Sequence, residues 1–307
     1  MTSNFAERRR QNHTDRRRRG QNLDAITDEI EQLVGLDAVK DEIANLIDLA
    51  QIFALKKERD IPVTNHSFHM VFSGPPGTGK TTVARLIGKI FYELNLLRKD
   101  TMREVTKADL VASYQGQTLE KVTDVVNSAL DGVLFVDEAY MLAGGGGATG
   151  HTDSFSQEAI DTLLKLMEDH RDRLVCIFAG YTDEMRRFEE ANPGLKSRIS
   201  TRLRFESYGE DQLFSIFLGM VEKHRMTLSA DAREEARKYV SDLARIGAKD
   251  PSFGNAREIR RMFEALQPIQ ASRLAREHSG GGGIQTISDE QLLGLELDDI
   301  VELAARH

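Results

Sequence analysis

The octet GPPGTGKT, residues 74–81, lies between a short apolar run, FHMVFS (68–73), and an amphipathic stretch carrying Val83, Leu86, Ile87, Ile90, Phe91 and Leu94 at helical spacing. This is the pattern G-x-x-x-x-G-K-[ST] in the setting it requires, with a strand before it and a helix after it. Glycines at 74, 77 and 79 let the backbone curl until its N–H groups converge on an anion. The following helix adds its unpaired donors and dipole. Gly74, Pro75, Pro76, Gly77, Thr78, Gly79, Lys80, Thr81 and Thr82 are therefore the expected cradle for the phosphates of ATP. Lys80 is aimed at the β- and γ-phosphates, and the Thr81 hydroxyl is a ligand for Mg²⁺.

The strand–helix alternation continues. MREVT (102–106), GVLFVD (132–137), LVCIFAG (174–180) and TRLRF (201–205) read as further strands, two of them continuous apolar runs of the kind buried on both faces. Helical spacing links Val122, Val125, Val126 and Leu130, and again Ile160, Leu163, Leu164 and Met167. An earlier helix begins after a turn at 35–37, with Val39, Ile43, Leu46, Ile47 and Phe53 on one face. Strands alternating with helices predict an α/β fold with a doubly wound, five-stranded parallel sheet.

After Tyr208 the pattern turns helical over 213–221, 230–243 and 256–276, with no further strand expected. Residues 280–283 are all glycine, and Ser288 followed by Gln291 predicts a capped helix near the end. The expected organisation is a disordered Arg-rich tail (1–22), an α/β domain (23–208), a small helical domain (209–278), and a glycine linker with a terminal helix (279–307).

GVLFVD delivers Asp137 to the carboxyl end of a buried strand, where ligands of such sheets bind. Asp137 is the second expected Mg²⁺ contact. Glu138 stands one residue on, where it can activate a water as general base. That pairing favours hydrolysis of ATP over phosphoryl transfer to a metabolite.

The tail carries seven arginines against Glu7 and Asp15, while the whole chain has net charge −8. A basic arm on an acidic body allows contact with nucleic acid, but the acidic body disfavours broad nucleic-acid binding. The single cysteine, Cys176, excludes an intramolecular disulfide and fits a cytoplasmic protein. No run reaches the length of a membrane span. His66 and His69 flank a strand start without metal-ligand spacing.

The segments LVGLDAVKDEI, HMVFSGPPGTGKTTVARLIGKIF, ADLVASYQGQT, GVLFVDEAYML, FAGYTDEM, NPGLKSRI and GNAREIRR resemble, in that order, AAA+ ATPases of the CbxX/CfqX family. That family includes the red-type rubisco activase and a stage V sporulation ATPase. The resemblance spans roughly residues 30–300. It implies an AAA+ P-loop fold with a C-terminal helical lid and an ATP-driven homo-oligomeric ring, typically a hexamer, that remodels a protein. It also implies that Val34 and Gly35 contact adenine, that Arg198 is a finger reaching a neighbouring subunit, and that Arg257 is sensor 2. Lys196 and Arg202 rival Arg198 for the finger. Sensor 1 falls among Tyr181, Thr182 and Asp183, with Thr182 favoured by position. Tyr114, Gln115 and Gly116 occupy the place of the pore loop, where an aromatic grips an extended chain. Gln115 and Gln117 are more polar than the family pattern, and Pro75 stands where asparagine is frequent.

Three functions follow from these residues: a ring motor acting on protein, with a rubisco-activase-like role within its range; a nucleic-acid-acting ATPase of the loader or branch-migration type using the tail; and a solitary nucleotide switch. The first is the expectation.

Overall fold

The computed structural model describes residues 22–62, 66–112, 116–143, 154–279 and 283–306. The tail through residue 21, Tyr114, Gln115, residues 144–147 and residues 280–282 lie outside the described residues. The chain divides into two compact units. The first holds the residues up to Gly74 together with Gly79–Phe205, and the second holds Pro75–Thr78 with the residues from Glu206 onward.

The first unit is built on five parallel strands, β1 (His69–Ser73), β2 (Met102–Val105), β3 (Val133–Val136), β4 (Val175–Gly180) and β5 (Ile199–Arg204), in the order β2-β3-β4-β1-β5. Every residue of β3 and β4 is buried. Their side chains alternate between two layers. Val133, Phe135, Val175 and Ile177 pack with α1 (residues 22–31), α2 (Asp37–Glu58) and α3 (Lys80–Glu93). Leu134, Val136, Cys176 and Phe178 pack on the other face with α5 (Thr118–Ala129) and α6 (Ser154–Asp169), which follow the short α4 (Lys107–Leu110). Burying each such side chain contributes about 1.5–3 kcal/mol, which explains why these runs tolerate no polar interruption.

Three local features differ from the sequence expectation. Helix α1 forms where no helix was expected, in residues that, but for Asn22, fall within the expected α/β domain; Ile26 and Ile30 are buried in the first layer. The NPG segment, to which the sequence assigns no element, forms a short helix, α8 (Pro193–Arg198), after α7 (Thr182–Ala191), with Pro193 in its first turn where a missing N–H costs nothing. His69 does not flank β1 but opens it, 1% exposed. Its Nδ1 accepts the Cys176 N–H at 3.0 Å and its Nε2 lies 3.3 Å from the Met167 carbonyl, so the imidazole ties β1 to β4 and α6.

The second unit packs α9 (Glu210–Lys223), α10 (Ala230–Gly247), α11 (Ala256–Glu277) and α13 (Leu297–Arg306) about Phe217, Val240, Ile259, Leu266 and Ile300. It also contains a parallel pair of two-residue strands, β6 (Thr227–Leu228) and β7 (Gly294–Leu295), where helices alone were expected. Two residues are too few to show an alternating pattern. The capping box at Ser288 forms as read, opening α12 (Asp289–Leu293). Beneath it Arg273 and Asp299, the latter fully buried, make a two-point ion pair at 2.8 and 3.0 Å.

Candidate active site

The strand order sets what can meet. β1, β3 and β4 run in the same direction with β4 in the middle, so the loops after them emerge at one carboxyl edge. Ser73 pairs with Gly180, and the Gly74 N–H donates to the Gly180 carbonyl at 3.1 Å. Gly74 begins the phosphate loop, Asp137 and Glu138 follow β3, and Tyr181 and Thr182 follow β4. The sheet therefore gathers Lys80, Thr81, Asp137, Glu138 and Thr182 at one edge, as carboxyl-end ligand sites require.

The loop needs its glycines for specific reasons. Gly77 has φ +68, and a Cβ there would sit 1.9 Å from the Gly254 carbonyl oxygen. Gly79 is the left-handed residue that turns the chain into α3. Lys80 and Thr81 then stand in the first turn of α3, where free N–H groups and the helix dipole favour an anion. The Lys80 ammonium donates to the Gly74 carbonyl at 2.8 Å, folded back along its own loop.

Asp137 is held by its backbone N–H on the Val105 carbonyl at 2.8 Å, and its Oδ1 accepts the Glu138 N–H at 3.1 Å. Glu138 is exposed and has φ +48, a left-handed conformation uncommon for a side chain of this kind. Strain at such a place is a mark of sites whose surroundings over-determine them. Beside it, burial first and the Glu138 charge second push the Tyr140 phenol up to about 12. The Thr81 hydroxyl and Asp137 carboxylate are hard oxygen donors, the type Mg²⁺ takes when phosphates and waters complete its octahedron. Among the described residues there is no cluster of three or more histidine, cysteine or acidic side chains that could hold a metal unaided.

The other expected residues are distributed as follows. Val34 and Gly35 lie in the turn between α1 and α2, with Gly35 and Leu36 both left-handed. Arg257 is the second residue of α11 and exposed. Arg198 is not at the phosphate edge: it closes α8 immediately before β5, at the amino edge of the sheet. Its Nη1 donates to the Gly194 carbonyl at 2.8 Å and its Nε lies 3.5 Å from Glu168 Oε2, an ion pair without hydrogen-bond geometry. Arg202 is engaged within the chain, its Nε and Nη2 both on Glu189 Oε2 at 2.8 and 2.7 Å, whereas Lys196 is exposed. Gly116, at the end of the expected pore loop, has φ +83 and open space about it.

Sequence reasoning missed Tyr208 and Asn255, which contact the phosphate loop's tip within the second unit. Asn255 stands inside the GNAR segment, but nothing in its spacing distinguishes it from an ordinary helix cap.

Two family models match the chain: the ATPase family associated with various cellular activities (AAA) over residues 70–207, and the AAA lid domain over 209–307. Stage V sporulation protein K of Bacillus subtilis is 41% identical over 227 residues, covering 73% of this chain and 69% of that protein. The CfxQ homolog of Pyropia yezoensis is 35% identical, covering 91% of this chain and 89% of that protein. The ESX-3 secretion system protein EccA3 of Mycobacterium leprae is 39% identical, but the chain spans only 39% of its length. Among solved structures, a point mutant of Thermotoga maritima RuvB superposes with TM-score 0.56 at 15% identity, over 90% of this chain and 71% of that one. The AAA domain of FIGL-1 does so with TM-score 0.56 at 18% identity, over 90% of this chain and 82% of that one; at such identities these two speak for the fold alone. With a parallel sheet in this order, a glycine-rich loop and acidic pair at one edge, and the sporulation protein and the CfxQ homolog matched over most of their length, the chain belongs to the CbxX/CfqX family of AAA+ ATPases and carries its ATPase domain and lid.

Proposed function

We propose that this ATPase works as a homo-oligomeric ring, a hexamer, in which each site is completed by Arg198 of a neighbouring subunit, and that the ring remodels a protein substrate. The observation that carries this reading is the position of Arg198. It sits at the amino end of β5, while the phosphate loop leaves the carboxyl end of the adjacent β1. Strands of five or six residues separate the two by roughly 15–20 Å. A guanidinium on that edge cannot serve its own subunit's phosphate; on leaving Gly194 and Glu168 it can serve the next one in a head-to-tail ring.

In this reading Lys80 and the loop N–H groups bind the β- and γ-phosphates, Glu138 accepts the proton of the attacking water, and Arg198 spreads donors over the transferring phosphoryl. Thr81 and Asp137 would hold Mg²⁺, which when bound neutralises phosphate charge. Val34 and Gly35 face the adenine, and Thr182 and Arg257 act as the sensors. Tyr114 and Gln115, with Gly116, grip the substrate chain. Residues 23–208 form the motor domain, 209–278 the lid, and 279–307 its terminal segment. A cytoplasmic setting agrees with Cys176 as a free, buried thiol. A rubisco-activase-like role is one member of this class of work.

The test is specific ATPase activity against subunit concentration. A steep rise to a plateau is expected, since no subunit holds a complete site. Constant specific activity over a range in which the protein stays monomeric would sink the ring.

A further inference from the structure

Five successive carbonyl oxygens along the phosphate loop are each engaged by a donor. Lys80 Nζ donates to Gly74 O and Thr78 Oγ1 to Pro75 O, both at 2.8 Å. Asn255 Nδ2 donates to Pro76 O at 3.2 Å, the Ala256 N–H to Gly77 O at 3.3 Å, and the Tyr208 hydroxyl to Thr78 O at 3.1 Å. In a trans peptide the carbonyl and the next residue's N–H point in opposite directions. Holding a carbonyl outward therefore turns the following N–H inward.

Pro75 and Pro76 have no N–H to offer. The anion-facing donors of the tip are thus those of Gly77, Thr78 and Gly79, and none of the three donates to another described residue. Their paired carbonyls are those of Pro76, Gly77 and Thr78. These are the three held by Asn255, Ala256 and Tyr208, which all lie with the tip in the second unit.

Asn255 is the least expected of the three. It is fully buried with φ 47 and ψ −120, a region that glycine occupies freely and a side chain resists. Its carboxamide uses both ends. Nδ2 donates to Pro76 O and to Phe253 O (3.0 Å), and Oδ1 accepts the Tyr208 N–H at 2.9 Å. One strained side chain therefore fixes one loop carbonyl directly. It also fixes the backbone of the tyrosine that holds another.

We propose that Asn255, together with the Tyr208 hydroxyl, is a positioning residue for nucleotide binding: the two hold the Pro76 and Thr78 carbonyls outward so that the Gly77 and Gly79 N–H groups face the phosphates. This rests on the reading of residues 74–81 as the ATP phosphate loop. Asn255 touches no substrate and acts through the loop. Because the same N–H groups serve ground state and transition state, the effect falls on affinity rather than on turnover.

The experiment measures binding of a fluorescent ADP analogue, steady-state ATPase kinetics and Tm for the full chain and for Asn255→Gly, Tyr208→Phe and Lys80→Ala. Asn255→Gly removes the carboxamide while relieving the backbone, and Tyr208→Phe removes one hydroxyl. Expected are an affinity loss of about tenfold or more for the first and about three- to tenfold for the second. KM for ATP should rise in step, with kcat within about threefold of wild type and Tm nearly unchanged in Tyr208→Phe. Wild-type affinity in both variants, with binding weakened in Lys80→Ala, would overturn the proposal while leaving the loop reading standing. An affinity loss confined to Asn255→Gly and accompanied by a fall in Tm would reduce Asn255 to a structural cap. Undiminished binding in Lys80→Ala would remove the loop reading itself.

Discussion

At the residue scale the proposed chemistry concentrates on Glu138, exposed and held left-handed one step beyond Asp137. Replacing it by glutamine keeps the shape and the turn but removes the carboxylate proposed to take the proton. Glu138→Gln should lower kcat by about 10²–10⁴-fold while ATP affinity stays within about threefold of wild type. Single-turnover hydrolysis beside equilibrium binding checks this. An equal loss of binding would mean that Glu138 shapes the pocket instead. The positions of such residues were legible in the sequence because the roles proposed for them need fixed spacing along the chain: Lys80 and Thr81 after the glycines, Glu138 after the strand. Asn255 and Tyr208 were not. Asn255 reaches Pro76 across 179 positions and Tyr208 reaches Thr78 across 130, and neither the backbone angles of one nor the hydroxyl of the other leaves a local pattern.

At the scale of elements, His69 shows how one side chain can lock a strand. Burial drives its imidazole down to about 4 from an ordinary 6.5, against an opposing pull from the Met167 carbonyl and Glu168 on α6, with Arg198 on α8 pushing it further down. The buried Cys176 thiol across on β4 is pushed above its usual range, so it stays neutral beside the ring. A folded-state value below the unfolded one means that the unfolded chain binds the proton more readily. The stabilisation is full above pH 6.5 and is lost as pH falls towards 4. Between pH 7.5 and 5 this group should withdraw about 2 kcal/mol. Urea midpoints at the two pH values should show a smaller difference in His69→Asn, which keeps an acceptor near the Cys176 N–H. An unchanged pH dependence would mean that other groups dominate it. The C-terminal helix carries a second test. Asp299→Asn strips the two-point counter-charge from Arg273, itself 9% exposed, leaving it only that of Glu277 at 3.3 Å, and should cost at most about 3 kcal/mol in urea unfolding followed by far-UV circular dichroism. The elements themselves were legible wherever a long period or a doubly buried run announced them, as in α3, β3 and β4. They were missed where the signal is short. Helix α1 offers only Leu23, Ile26 and Ile30, and β7 consists of a glycine and a leucine inside an otherwise helical stretch.

At the scale of the whole molecule, the parallel sheet puts the phosphate loop and Arg198 on opposite edges, and this separation makes a subunit-mixing experiment decisive. In the proposed ring, Lys80→Ala cannot use its own phosphate loop but retains Arg198; Arg198→Ala has an intact loop but no finger to offer. Each alone should be nearly inactive, by about 10³-fold for loss of the finger. Mixed in equal amounts before assembly, an Arg198→Ala subunit has a Lys80→Ala neighbour on its finger side at about a quarter of the head-to-tail interfaces. Those interfaces pair an intact loop with an intact guanidinium, so activity should return to roughly that fraction of wild type if sites fire independently. Recovery requires subunit exchange, and native mass spectrometry of the mixture shows whether hetero-oligomers formed. Hetero-oligomers without regained activity would remove Arg198 from the neighbouring site and leave Lys196, exposed two residues earlier on α8, as the cation to mutate next.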